Sequence, residues 1–130
     1  MKPKINFITV PVENIEESKK FYQETFNFPI SEQNDELCLF ELNDNFYFVI
    51  QKSSEFIKQT DLLDENIKYN GFILSHNATS KKEVDDIVKK AEYKGAKRIK
   101  TLDEDWGYSI TIKVIDGHFW EILYTKETSD

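Results

Sequence analysis

Residues Ile5–Val12 read Ile-Asn-Phe-Ile-Thr-Val-Pro-Val, and this apolar run leads directly into a helix pattern that begins at Asn14. The same succession returns sixty-six residues later (80 − 14), where Phe72–Ala78 precedes a helix pattern that begins at Ser80. A repeat of this length indicates two copies of one supersecondary unit, each of which needs the other to bury its sheet.

Both helix patterns begin with a capping box, because Asn14 and Ser80 are each followed three residues later by a Glu. Three strand patterns follow each helix. In chain order these are Phe28–Gln33, Leu37–Leu42, Phe46–Gln51, Ala96–Thr101, Trp106–Val114 and His118–Thr125. The sequence therefore predicts an α+β fold of two βαβββ modules within a single domain, residues 1–130. Module 1 covers about residues 1–52 and module 2 about residues 70–126. The connector between them, 53–69, carries a short helical pattern.

The composition excludes several kinds of partner. With 17 basic and 24 acidic residues the formal net charge is −7, so we expect neither nucleic acid nor an anionic membrane surface as a partner. No apolar run approaches the roughly 20 residues of a membrane span, and the N-terminus does not have the pattern of a signal peptide. The single Cys38 excludes an internal disulfide, which fits a cytoplasmic protein.

Four segments together resemble the vicinal oxygen chelate superfamily, which includes glyoxalase I, extradiol dioxygenases and bleomycin resistance proteins. They are Asn6–Val12, Phe21-Tyr22, Phe26–Phe28 and Asp116–Glu121. The resemblance implies that the two modules form a cupped mixed sheet around a central cavity, with the helices on the outer face. It also implies a homodimer, since members are usually dimers or fused dimers. One departure is Ile115, which stands where the family commonly has a Pro.

The resemblance also implies where a divalent metal would be held, by a His in each first strand and a Glu in each last strand. The first-strand positions correspond to Phe7 and Ile73, and the last-strand positions to Phe48 and Glu121. Phe and Ile offer no lone pair, and one carboxylate is too few for such a site. We therefore predict no metal and no cofactor.

Neither histidine restores a metal site. His76 lies three residues after Ile73, so its side chain points to the opposite face of the strand, and we expect it to be hydrogen-bonded between sheet and helix. His118 is expected to help fix the Asp116-Gly117 turn. Cys38 alternates with leucines in a strand pattern and is expected to be a small buried side chain.

In the last predicted strand, alternation places Glu121 on the same face as Phe119 and Leu123. The other face carries His118, Trp120, Ile122 and Tyr124. The resemblance puts Glu121 on the cavity side. If Asp116-Gly117 forms a two-residue turn, Tyr108, Ile110 and Ile112 lie on the same side. The expected lining is Phe7, Phe46, Phe48, Ile50, Ile73, Tyr108, Ile110, Ile112 and Glu121, with Trp106 at the rim. A lone carboxylate there needs a partner: a hydroxyl such as that of Tyr108 or Thr9, buried water, or a ligand.

Three functions fit these features. The first is a metal-independent glyoxalase/bleomycin-resistance-like protein that binds an apolar or aromatic small molecule, including a cationic one, in the cup. The second is a lyase, isomerase or dioxygenase-type enzyme that uses Glu121 as a base or metal ligand. The third is a ligand-free dimeric interaction module, in which the rings fill the cup and Glu121 bonds to a neighbour. The residues do not decide whether a reaction is catalysed.

Overall fold

The computed structural model describes residues 1–63 and 71–126. The chain forms two compact units, Met1–Tyr69 and Asn70–Asp130, and each contains one four-stranded mixed sheet. The predicted order of strand, helix and three strands is confirmed in both units. The association of the units into a single domain stays a prediction. Residues 64–69 of the predicted connector and residue 70 of module 2 lie outside the described residues.

The described residues of the first unit form four strands, two helices and a short 3-10 helix at Asn43–Asn45. Its elements are β1 (Phe7–Val12), α1 (Ile15–Thr25), β2 (Ile30–Gln33), β3 (Leu37–Glu41), β4 (Tyr47–Lys52) and α2 (Ser53–Thr60). The strand order is β1-β4-β3-β2, with β1 parallel to β4 and the other pairs antiparallel. The helical pattern predicted in the connector is thus confirmed as α2, which contacts β1 and β4.

Helix α1 begins and ends at the residues that the sequence predicts. The Asn14 side chain accepts a hydrogen bond from the Glu17 N–H at 3.0 Å, as an N-cap should. Asn27 adopts the left-handed conformation, with φ 58°, and the Phe28 N–H then donates to the Tyr22 carbonyl at 3.2 Å. A left-handed Asn ends a helix in this way because its short polar side chain tolerates positive φ.

Aromatic rings form the core between α1 and its sheet. The Tyr22 ring is fully buried and lies 4.8 Å from the Phe48 ring and 5.9 Å from the Phe40 ring, measured between centroids. Phe48 and Ile50 therefore lie under α1, and the expectation that they line a cavity with Phe7 is wrong. The reason is the register of the parallel pair, which aligns Phe7 with Tyr47 rather than with Phe48.

The second unit repeats the plan without a second helix among its described residues. Its elements are β5 (Leu74–Asn77), α3 (Lys81–Tyr93), β6 (Lys97–Glu104), β7 (Gly107–Lys113) and β8 (Phe119–Thr125), with strand order β5-β8-β7-β6. Ser80 caps α3 by accepting from the Glu83 N–H at 3.0 Å, and Gly95 follows its end with φ 103°. Val84, Val88 and Ala91 supply the buried stripe of α3. No helix in the described ranges is long and apolar enough to cross a membrane.

Candidate functional site

Each sheet has one face packed against α1 or α3 and a second face, which we call the far face. In the first unit the far face carries Phe7 and Thr9 from β1, Tyr47, Val49 and Gln51 from β4, and Leu37 and Leu39 from β3, as the pairing and alternation require. Helix α2 reaches one end of this face, where the Gln51 side-chain amide donates to the Gln59 side-chain oxygen at 3.1 Å. The opposite end, at Phe7, is open to solvent.

The far face of the second unit is defined by the register of the β7–β8 hairpin. Lys113 pairs with Phe119, so the connection is the five-residue loop 114–118 and not a two-residue Asp116-Gly117 turn. The Val114 N–H donates to the His118 carbonyl at 2.9 Å, and the His118 N–H donates to the Asp116 carboxylate at 3.1 Å. The predicted register is wrong by one residue, and a shift of one residue reverses the face of every side chain on the strand.

Tyr108, Ile110 and Ile112 consequently pack on the α3 side, and their predicted place beside Glu121 is wrong. Ile110 and Ile112 are fully buried there. The Tyr108 hydroxyl donates to the Asp85 carboxylate of α3 at 2.6 Å, a bond that raises the pKa of Tyr108. Lys81 lies 4.8 Å from the centre of the Tyr108 ring. Tyr108 therefore packs and hydrogen-bonds against α3 and does not face Glu121.

Glu121 lies half-buried on the far face, and its partner is a residue that the sequence analysis did not name. The Ser75 hydroxyl of β5 donates to a Glu121 carboxylate oxygen at 3.2 Å, a long bond for a hydroxyl donor. Thr111 of β7 pairs with Glu121 from the other side. Ser75 could have been found from the sequence, because it lies two residues after Ile73 and thus shares its face.

The same pairing corrects the position equivalent to Glu121 in the first unit. Ser75 pairs with Glu121 in one parallel pair, and Thr9 pairs with Val49 in the other. Thr9 and Ser75 are sixty-six residues apart (75 − 9), the offset of the repeat, so the equivalent residue is Val49 and not Phe48. Matching the two turns in sequence missed this by one residue. Both loops have five residues, 42–46 and 114–118, so Tyr47 and not Phe46 corresponds to Phe119.

The residues at the metal-ligand positions do not fit a divalent cation. Phe7, Ile73 and Val49 have hydrocarbon side chains, so Glu121 is the single donor of the four. Within residues 1–63 and 71–126, no group of three or more His, Cys, Asp or Glu side chains is placed to hold a metal ion. Protein sites for Zn²⁺ use three or more such donors.

The far face of the first unit presents an aromatic surface instead. The Phe7 and Tyr47 rings stack with centroids 5.1 Å apart and planes at 17°, and Phe7 is 54% exposed. Tyr47 is a second site residue that sequence reasoning missed. Phe46 is half-buried and lies just before β4, at the end of the 3-10 turn.

Two further predicted residues are exposed. Trp106 lies in the turn between β6 and β7 and is 44% exposed, and Ile73 precedes β5 and is 56% exposed. Both can meet a ligand, but neither contacts Glu121 through any bond that the structure shows. Asp103 and Glu104, shortly before Trp106, are the last residues of β6.

The histidines and the cysteine take structural positions. His76 pairs with Ile122, which confirms that it faces the α3 side, although it is exposed rather than enclosed. The His118 ring is buried and stacks on the Phe72 ring at 5.9 Å. Cys38 is fully buried, and burial raises the pKa of its thiol to about 11, so it is not a nucleophile at neutral pH.

The fold and its repeated module agree with the comparison to known families. The Glyoxalase/Bleomycin resistance protein/Dioxygenase superfamily matches residues 4–122, and the chain belongs to that superfamily. Among curated protein sequences, none matches the chain significantly.

Solved structures show the same fold at low sequence identity. A glyoxalase-related enzyme from Fulvimarina pelagi is 21% identical, with a TM-score of 0.85 over 95% of this chain and 88% of that one. The fosfomycin resistance protein FosX from Listeria monocytogenes is 16% identical, with a TM-score of 0.75 over 97% and 96%. A lactoylglutathione lyase from Agrobacterium tumefaciens is 15% identical, with a TM-score of 0.72 over 95% of each chain.

Proposed function

We propose that the chain is a metal-independent, glyoxalase/bleomycin-resistance-like protein that binds an apolar or aromatic small molecule on the far faces of its sheets. One observation carries this proposal: an exposed, stacked pair of rings stands where metal-using members of the fold have a coordinating His. Phe7 is 54% exposed beside Tyr47. A flat apolar ligand that covers such a ring removes its surface from water and gains ring–ring contact.

On the far face of the second unit, Glu121 offers a ligand a polar contact. Its carboxylate has the single hydroxyl of Ser75 within bonding distance, and a carboxylate has about four lone-pair positions. A ligand amine or hydroxyl therefore finds free acceptor capacity at this position. A ligand with a donor group should bind more tightly than the same ring without one.

Calorimetric titration of aromatic compounds, with and without an amine, tests the proposal. We expect Phe7→Ala to weaken, by about fivefold, the ring compounds that bind on the far face of the first unit, the value of one ring–ring contact. Glu121→Gln should weaken only the amines. Tyr93→Ala, which removes a ring that is 87% exposed at the end of α3, and Glu36→Gln in an exposed turn are the matched controls. If the wild type bound none of the compounds, or if Tyr93→Ala had the effect of Phe7→Ala, the proposal would be wrong.

A second candidate is a metal-independent lyase or isomerase, and the hydroxyl neighbours of Glu121 favour it. Glu121 would remove a proton from a carbon next to a carbonyl, become a carboxylic acid, and return the proton to a neighbouring atom. Ser75, which already bonds to Glu121, is placed to orient the carboxylate. Proton-to-deuterium exchange of bound carbonyl compounds in D₂O, followed by NMR, would reveal this step. Glu121→Gln should abolish the exchange while leaving binding of uncharged ligands intact.

We also propose a homodimer. The outer strands of the two sheets are β1 and β2 in the first and β5 and β6 in the second, and unpaired strand edges invite pairing with another strand. Light scattering should give the mass of two chains. A mass of one chain at all concentrations would contradict this, and would leave ligand binding by the far faces untouched.

A further inference from the structure

We propose that the ligand of the second unit is amphoteric, with an amine that meets Glu121 and an anionic group that meets Lys100. This inference rests on the proposed binding function and names the chemical class of the ligand. It follows from how the sheet pairing arranges polar side chains across the far face.

The pairing places four polar residues in one row that crosses the sheet. Ser75 of β5 pairs with Glu121 of β8, Glu121 pairs with Thr111 of β7, and Thr111 pairs with Lys100 of β6. Residues paired in this way point to the same side of the sheet. The order across the face is therefore hydroxyl, carboxylate, hydroxyl and ammonium.

Lys100 belongs to this row because of an irregularity in β6. The pairing shifts between Arg98 and Lys100, which leaves Ile99 as an extra residue in the manner of a β-bulge. After the shift Lys100 pairs with Thr111 of the far face, and Thr101 pairs with Ile110 of the α3 face. Without the extra residue, Ile99 would pair with Thr111 on the far face, and Lys100 would pair with Ile110 on the α3 face.

The two charged side chains of the row do not pair with each other in this structure. Glu121 and Lys100 are separated by two strand spacings, about 10 Å between backbones. In the part of the chain that the structure describes, neither group forms an ion pair. Among the residues that the structure describes, Ser75 is the only hydrogen-bond partner of the Glu121 side chain. A carboxylate and an ammonium thus face the same space with unused bonding capacity.

Apolar side chains border the row on both sides. Phe119 lies one row away on β8 and pairs with Lys113, whose ammonium lies 5.8 Å from the centre of the Phe119 ring. On the other side of the row, Leu123 pairs with Ser109, which in turn pairs with Leu102. Phe119, Leu123 and Leu102 are all half-buried. A ligand that spans the row would pass over Thr111 with its body between these side chains. Its two charged ends would each form a charge-assisted hydrogen bond, the stronger kind.

The matching ligand has a flat apolar body with opposite charges at its two ends. Four compounds separate the contributions: 4-(aminomethyl)benzoic acid carries both charges, benzylamine the cation, benzoic acid the anion, and benzyl alcohol neither. We expect the first to bind at least about tenfold more tightly than either singly charged compound, the effect of one charged hydrogen bond. Titration calorimetry of the wild type measures this order.

Two substitutions assign each end of the ligand. Lys100→Gln should reduce 4-(aminomethyl)benzoic acid to the affinity of benzylamine, and Glu121→Gln should reduce it to that of benzoic acid. Lys89→Gln on the exposed surface of α3 and Glu36→Gln are controls of the same charge change and should leave the order intact. Circular dichroism melting checks that all four variants are folded.

The outcomes separate this inference from the function on which it rests. If all four compounds bound with similar affinity, the far face would bind aromatic rings whatever their charge. Only the assignment of an amphoteric ligand would then be wrong. If Lys89→Gln had the effect of Lys100→Gln, the contribution would be nonspecific attraction, which also overturns it. If no compound bound to the wild type, the proposed function and this inference would both be wrong.

Discussion

At residue 107 two strands approach so closely that only a hydrogen fits between them. A Cβ on Gly107 would lie 2.1 Å from the Tyr124 carbonyl oxygen and 2.9 Å from the Thr125 Cα. Both are backbone atoms of β8 and cannot rotate away. Similar constraints at single residues, such as the left-handed Asn27 that ends α1, decide much of this fold, and several of them are visible in the sequence.

We expect Gly107→Ala to lower the free energy of unfolding by about 2–4 kcal/mol, because β8 must move to admit the methyl group. Urea denaturation measures the loss. Gly117→Ala is the matched control, since its Cβ would meet no atom within 4 Å and only its φ of 91° opposes the change. We expect about 1 kcal/mol there. Equal losses at the two glycines would show that backbone conformation, and not the contact with β8, sets the effect.

A buried hydroxyl in α1 gives the opposite prediction. The Thr25 hydroxyl is buried and has no hydrogen-bond partner among the described residues. Thr25→Val keeps the shape and removes the desolvated hydroxyl, so we expect the free energy of unfolding to rise by about 1 kcal/mol. Thr60→Val, at the end of α2, is the control: its hydroxyl is exposed and already donates to the Phe56 carbonyl at 2.8 Å, so no gain is expected. A gain in both variants would assign the effect to the added methyl group of valine and not to the removal of a buried hydroxyl.

At the scale of the element, both helix starts were predictable because capping is local. Asn14 and Ser80 cap α1 and α3 as their capping boxes predict. The hairpin between β7 and β8 was not predictable in the same way. Its Asp-Gly pair indicated a two-residue turn, but the Asp116 side chain bonds to the His118 N–H within a longer loop. Because the observed register differs from the predicted one by one residue, Tyr108, Ile110 and Ile112 lie on the α3 face.

The start of α3 gives a prediction about pH. The Thr79 hydroxyl and N–H both donate to the Glu83 carboxylate, and these bonds lower the pKa of Glu83. A carboxylate with a lowered folded-state pKa stabilises the protein above its unfolded pKa, and the stabilisation is lost as the pH falls through the folded-state value. Glu83→Gln should therefore melt below the wild type at pH 7, and the difference should vanish in acid. Glu36→Gln should match the wild type throughout. A difference for Glu83→Gln that persisted unchanged into acid would show that the lost side-chain geometry, not the charge, is responsible.

At the scale of the whole molecule, we expect the purified protein to contain no stoichiometric metal. Three hydrocarbon side chains occupy the positions of metal ligands, which leaves Glu121 alone. Elemental analysis should find no bound Zn, Ni, Mn or Fe, and neither EDTA nor added Zn²⁺ should shift the melting temperature, since a ligand that binds the folded state raises it. Glu121→Ala should have the same metal content as the wild type. A bound metal that this substitution removed would overturn the assignment of the ligand positions.

The sequence by itself determined the duplication, the order of the elements, the helix caps and the apolar nature of three of the four ligand positions. The caps and the residue types are local features, and the duplication appears as the same local patterns repeated sixty-six residues apart, so all of them can be read along the chain. Only the tertiary structure decided that Ser75 is the partner of Glu121, that Val49 and not Phe48 is its equivalent, and that Lys100 shares its row. The physical reason is strand register: hydrogen bonds between distant segments set it, and one extra residue in a loop or bulge reverses which side chains share a face.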